Sequence, residues 1–265
     1  MKSISLLLAP LTIACAALFN NCLAAETDAR STIAHVWQRY QAGAQSEQEL
    51  IEVQVRQGAQ VLPAKLLWRR IRYGEQGQHV SVKFVEPIAD LGLALLIERN
   101  TNGTDQIWLR LPSWTSARKV VGSRETRYFA DTAFTFEDNK QLIGEQTSLF
   151  DYRYQSTDPN ATVISATPRA GTVSGYAQRD ISLNGQGVPT RIDYLDENAQ
   201  ILKTLTFEEL NVAAAGRWRA DRVTLKQRDG SQTTLKVRKR TFNDHLPERV
   251  FSQAAMLEND SANSH

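Results

Sequence analysis

The chain has 265 residues, with 31 lysines and arginines against 29 acids, four histidines and two cysteines. Near-neutral charge argues against nucleic acid as the main partner. Both cysteines, Cys15 and Cys22, lie near the start, so the rest of the chain has no thiol to staple the fold, attack a substrate or bind a metal.

The N-terminal segment reads as a secretion signal. Lys2 supplies the positive start, Ile4 to Phe19 an apolar stretch, and Cys22-Leu23-Ala24 a small-x-small cleavage site. Pro10, Thr12, Asn20 and Asn21 interrupt the stretch, which is short of the ~20 residues a membrane-spanning helix needs. No small-residue run precedes either cysteine as a lipoprotein signal requires. Residues 1–24 are therefore expected to be removed, leaving an exported mature chain from Ala25 or Glu26.

Ile33, Val36, Trp37 and Tyr40 fall on one stripe and predict an amphipathic helix, capped by Asp28 or Ser31 and ended by Gly43. The period then changes to two. Alternation recurs at Ile51–Val55, Val80–Phe84, Ile107–Leu111, Arg191–Tyr194, Ile201–Phe207, Val223–Leu225 and Leu235–Val237. Turn residues separate these runs: Gly58, Gly74 to Gly77, Asn102-Gly103, Asn184-Gly185 and Asp229-Gly230. Two further helical pieces are predicted, Glu137 to Ile143 after a Thr135 cap and Leu246 to Leu257 with Pro247 in its first turn. The expected class is α+β, mainly β. One strongly curved antiparallel sheet, an incomplete barrel of about ten strands, is covered by the N-terminal helix and one or two others. Residues 25–257 read as one domain and 258–265 as a polar, disordered tail.

Catalytic patterns are scarce. His35, His79, His245 and His265 are scattered, and Gly171-Thr172-Val173-Ser174-Gly175 places its serine wrongly for a nucleophile elbow. Glu137-Asp138 fits a helix N-terminus better than acid–base work. Trp68-Arg69-Arg70, Arg217-Trp218-Arg219 and Lys236 to Arg240 read as solvated strand faces, with anionic lipid headgroups as a second option. No catalytic residue, metal or cofactor is expected, and the protein is not read as an enzyme.

The 42% hydrophobic content then carries the functional question. Leu91 to Ile97 is nearly continuous apolar sequence, and Phe129, Phe134 and Phe136 cluster in one irregular segment. A curved sheet under few helices leaves a space that aliphatic and aromatic residues would line. The candidate lining positions are Val53, Val55, Val80, Val82, Phe84, Leu93, Leu95, Leu109, Phe134, Phe136, Ile192, Tyr194, Leu205, Phe207, Val223 and Leu225. Periodicity alone does not distinguish a void from a packed core.

The series Trp108-Leu109-Arg110-Leu111-Pro112, Arg118-Lys119-Val120, Ser123, Phe129 and Phe134-Thr135-Phe136-Glu137-Asp138 resembles the LolA-like outer-membrane lipoprotein-sorting family, in the branch with a "LYLP…RKVRRI…F.GSDFTYED" stretch. The match is densest over residues 91–143, and the element order extends it over almost the whole mature chain. Asp131 stands where that family usually has glycine, and Ala133 where it usually has aspartate. The resemblance implies an incomplete β-barrel closed by helices around a cavity for acyl chains. It also implies a periplasmic carrier of lipid or lipoprotein; the chain is read as a monomer, and since handover requires a lid to move, Phe129 to Asp138 is the candidate gate. The alternative is an accessory protein that docks to a membrane transporter of the resistance-nodulation-division type through an exposed patch, with Trp114 as its candidate centre, and carries nothing.

Overall fold

The computed structural model describes residues 29–75, 77–100, 105–158, 161–214 and 216–262. The secretion signal, Asp28, the Asn102-Gly103 turn and the last three residues lie outside them.

Helix α1 (29–41) buries the stripe read from the sequence. Trp37 and Tyr40 meet Trp218 at ring distances of 5.4 and 5.0 Å, and the Trp218 indole donates to the Val36 carbonyl at 2.9 Å. Gly43, with φ of +68°, ends the helix in the left-handed conformation that glycine adopts without cost.

Fourteen strands follow among the described residues, all paired antiparallel. β1 (Ser46–Gln57) carries the two-residue β2 (Gln60–Val61) at its end. A first meander runs outward through β3 (Lys65–Gly74), β4 (Gly77–Glu86), β5 (Ala94–Asn100), β6 (Asp105–Arg110) and β7 (Arg118–Val120). The chain then crosses over through a hairpin and α2 (Phe136–Gln141). A second meander returns through β8 (Phe150–Asp158), β9 (Ala161–Pro168), β10 (Gln178–Asn184), β11 (Pro189–Leu195), β12 (Ile201–Val212), β13 (Trp218–Gln227) and β14 (Gln232–Phe242). β14 pairs with β1, so the first and last strands form a central seam. The sheet is thus larger than the ten strands expected, and it stays open, with β7 and β8 as unpaired edges. Barrel describes it only as an incomplete one.

Two apolar clusters fill the side facing α1 and α2. One gathers Trp37, Tyr40, Tyr152, Tyr194, Phe207 and Trp218; the other gathers Ile51, Val53, Val82, Phe84, Leu95 and Phe129. Tyr73 and Leu235 pack against both.

The C-terminal segment departs from the expected helix. Leu246 to Leu257 forms two 3-10 turns, Glu248–Phe251 and Ala255–Leu257, and lies on the opposite, convex face. There Phe251 and Met256 cover Ala94 and Leu96. This explains the apolar run of β5: Leu95 and Ile97 point inward, Ala94 and Leu96 outward, and both sides are covered. The stretch expected to be disordered from Glu258 also makes contacts. Asp260 pairs with Arg70 and Lys83, and the Ser261 carbonyl accepts from the Trp68 indole at 3.0 Å.

Candidate functional site

The segment between the two meanders forms a short hairpin. Tyr128 bridges Thr135, and the Phe129 amide donates to the Phe134 carbonyl at 2.9 Å. Ala130 and Asp131 make its tip at φ of +58° and +56°, and the Thr132 amide closes the turn on the Phe129 carbonyl at 3.1 Å. Two successive left-handed residues are a glycine-favouring turn. That accounts for the glycine at the position of Asp131 in the similar family. Ala130 is the more strained, having no polar side chain to compensate. Ala130→Gly is expected to stabilise the fold by about 1 kcal/mol, read as a raised urea midpoint at unchanged slope.

The hairpin plugs the arch. Phe129 stacks edge-on against Phe84 at 6.0 Å and near Phe136 at 5.4 Å, while Phe134 enters the cluster beneath α1. The Ala133 amide donates to Thr233 Oγ1 at 2.8 Å. Lys65 Nζ ties the tip down, donating to the Ala130 carbonyl at 3.2 Å and pairing with Asp90 at 3.1 Å.

α2 follows directly, started by a complete capping box: the Asp138 amide donates to Thr135 Oγ1 at 3.1 Å and the Thr135 amide to Asp138 Oδ2 at 2.6 Å. Asp138 also takes hydrogen bonds from the Tyr176 hydroxyl at 2.9 Å and from Lys203. Lys203 is 3% exposed, with its ammonium 4.7 Å from the Tyr176 ring and 5.1 Å from the Tyr194 ring. Burial, and then the Asp138 charge, hold both phenols well above their ordinary range. Glu137 accepts from Ser174 Oγ at 2.6 Å and the Gly175 amide at 2.8 Å; burial pushes its carboxyl up in spite of these bonds. Both acids of the pair are held by partners within the fold. At the far end of α2, Gln141 donates to Glu145 at 2.8 Å, and Arg179 grips Glu145 through two bonds of 3.0 and 3.1 Å.

A cavity of about 30 Å³ borders the plug at Phe129, Thr132 and Phe134, and a second of about 30 Å³ lies beside Tyr40, Phe207 and Trp218. Ile51, Arg69, Leu142 and Leu235 line both. Of the sixteen lining positions read from the sequence, Val53, Val82, Phe84 and Phe134 line the first cavity, and Phe207 and Val223 the second. Val55, Val80, Leu93, Leu95, Leu109 and Phe136 belong to the cluster around the first cavity, and Ile192, Tyr194, Leu205 and Leu225 to the cluster beneath α1.

Sequence reasoning missed the charged floor of this space. Arg69 donates to Glu49 at 2.6 Å, Arg240 reaches the other Glu49 oxygen at 2.8 Å, and Arg219 holds Glu47 through bonds of 2.8 and 2.6 Å. Glu47 and Glu49 are almost wholly buried. Burial alone would raise the Glu49 carboxyl, but Arg69 and Arg240 outweigh it and hold it below the ordinary range. The basic runs read as solvated faces are therefore corrected at Arg69, Arg70, Arg219 and Arg240, which are paired and largely buried; Arg238 and Lys239 are exposed. The signal was present: Glu47 and Glu49 continue the inward phase of Ile51, Val53 and Val55, and an inward acid demands a buried cation. Trp114, the expected centre of an exposed patch, is half-buried with the Arg118 guanidinium 4.3 Å above its ring. Among the described residues no group of three or more His, Cys, Asp or Glu is placed to hold a metal ion.

The arch has solved relatives. A domain described as an outer membrane lipoprotein-sorting protein, from Vibrio parahaemolyticus, superposes with a TM-score of 0.79 at 20% identity over 88% of this chain and 100% of that one. A DUF1329 family protein from Desulfovibrio piger gives 0.78 at 19% identity, over 88% and 99%. A LolA superfamily protein from Nitrosomonas europaea gives 0.62 at 17% identity, over 86% and 98%. These likenesses show a LolA-like fold. A search of the curated proteins finds no match. A family model described as "Uncharacterized protein" matches residues 76–258, and the chain belongs to that family.

Proposed function

We propose that this protein is a periplasmic carrier that sequesters the acyl chains of a lipid or lipoprotein beneath the hairpin and hands them on between membranes. The observation that carries this reading is the hairpin itself, a removable aromatic plug in an apolar arch. Phe129 belongs to one apolar cluster and Phe134 to the other, and the small cavity they line shares four lining residues with the second cavity. Ligand pockets run to roughly 300–1,000 Å³, so this is the closed form, and loading requires residues 129–138 to swing out. Each acyl CH₂ moved from water into the vacated space contributes about 0.8 kcal/mol, which offsets the exposure of the phenylalanines. The pattern of residues 1–24 supports export.

A lock tests the gate. Ala133→Cys with Thr233→Cys joins two residues that are already hydrogen-bonded, in a chain with no cysteine beyond Cys22. The oxidised variant is expected to bind a fluorescent fatty acid at least about tenfold more weakly than the reduced one. Equal binding by both forms contradicts the gate. The small size of the cavities favours a second reading, an accessory protein that docks to a membrane transporter and carries nothing. Absence of lipid in native mass spectrometry, with no probe binding in either redox form, selects it.

A further inference from the structure

The convex face of the sheet carries a cationic cluster unrelated to the arch. The register places Arg70 opposite Ser81, and Lys83 opposite both Trp68 and Ala94, on one face. Residues 244–262 cross this face as a strap. Asp260 binds both cations, at 2.6 Å to Lys83, and Glu248 reaches Arg72 at 3.2 Å. The Ala255 and Ser261 carbonyls accept from Lys83 Nζ at 2.9 Å and Trp68 Nε1 at 3.0 Å. Phe251 lies under the Arg72 guanidinium, 5.2 Å from its ring.

Covering a sheet face does not call for buried cations, since an apolar pair of the same volume does it as well or better. Arg70 and Lys83 are 7% and 5% exposed, so they commit the face to an anionic occupant. The strap supplies one carboxylate to both. It also fits loosely: a cavity of about 350 Å³, within the ligand-binding range, remains between it and the sheet. Gln48, Arg70 and Lys83 line that cavity on the sheet side. The strap adds no strand to the sheet and is built of two isolated 3-10 turns, so its removal breaks no ladder.

We infer that this convex face is a docking site for an acidic peptide segment of a partner protein, and that the C-terminal strap is its built-in, displaceable occupant. The partner's carboxylates replace Asp260 at Arg70 and Lys83, and an apolar side chain replaces Phe251 over Ala94 and Leu96. A tethered strap competes at an effective concentration of about millimolar, so the intact chain binds such a segment weakly until the strap lifts.

The probe is a fluorescein-labelled peptide with the sequence of residues 244–262. In anisotropy titrations the full chain carrying Phe251→Ala and Asp260→Lys is expected to bind it about tenfold more tightly than the wild type, and adding Lys83→Glu abolishes the gain. An isotope-labelled wild-type chain provides a readout without substitutions: at saturating peptide, its own strap amides exchange about tenfold faster. Equal affinity of wild type and released variant, or strap exchange unmoved at saturation, overturns the proposal. So does binding of phosphatidylglycerol vesicles in place of the peptide, which assigns the face to membranes.

Discussion

Asp138→Ala is expected to destabilise the protein by about 3–5 kcal/mol, measured by urea denaturation. The substitution leaves the Lys203 ammonium buried between two tyrosine rings with no anion to meet it. It also deletes half of the capping box and the partner of the Tyr176 hydroxyl. Asp138→Asn keeps hydrogen-bonding capacity but not the charge, and should fall between alanine and wild type. Because α2 and the hairpin are continuous, a variant that survives the loss should admit the fatty-acid probe faster than the wild type does.

The second large effect lies in the floor of the arch. Glu47→Ala should cost a similar 3–5 kcal/mol, because Arg219, 4% exposed and 3.7 Å from the Tyr40 ring, is left with its charge and without its carboxylate. Replacing both partners, Glu47→Leu with Arg219→Met, is expected to recover most of the loss, since neither charge then remains to be paired. The pH dependence follows from the neighbouring pair. The Glu49 carboxyl is held below its ordinary value by Arg69 and Arg240, so the stability it confers is complete above that value and is lost as pH falls through the lowered one. Glu137, pushed up by burial, works in the opposite sense and favours the fold on its acidic side. Melting temperatures recorded below about pH 4.3 should drop more steeply for the wild type than for Glu49→Gln.

The parts of this fold that could be read from the sequence are those with one apolar and one polar side, even where, as in β4, the polar side is covered. α1 announces itself because Ile33, Val36, Trp37 and Tyr40 share a stripe, and Val80, Val82 and Phe84 mark β4 by strict alternation. At β3 the sequence marks a strand at Trp68-Arg69-Arg70 but not its burial, because both its faces are covered. Leu67, Arg69 and Ile71 point into the arch while Trp68 and Arg70 lie under the strap, and the alternation is erased. β8 escaped for a different reason. As an edge strand it sends Tyr152 fully inward and keeps Arg153, Gln155 and Ser156 outside the core. The aromatic segment could be placed from Phe129, Phe134 and Phe136, but its folding into a hairpin depends on the turn at Ala130-Asp131, a conformation those residue types do not advertise. Ile51, Leu142 and Leu235 join the cavities only because the two meanders come together at the β1–β14 seam, across nearly two hundred residues of sequence.

The open ends of that sheet have a mechanical meaning. In a closed barrel, strand number and stagger fix the diameter, so contents must fit a given girth. Here β7 and β8 are free of each other, and no ring of hydrogen bonds sets how tightly the arch bends. Its curvature is set by what is packed inside, at present α1, α2 and the hairpin with their apolar side chains. A bulkier filling would widen the span between the two edges at little cost in backbone pairing.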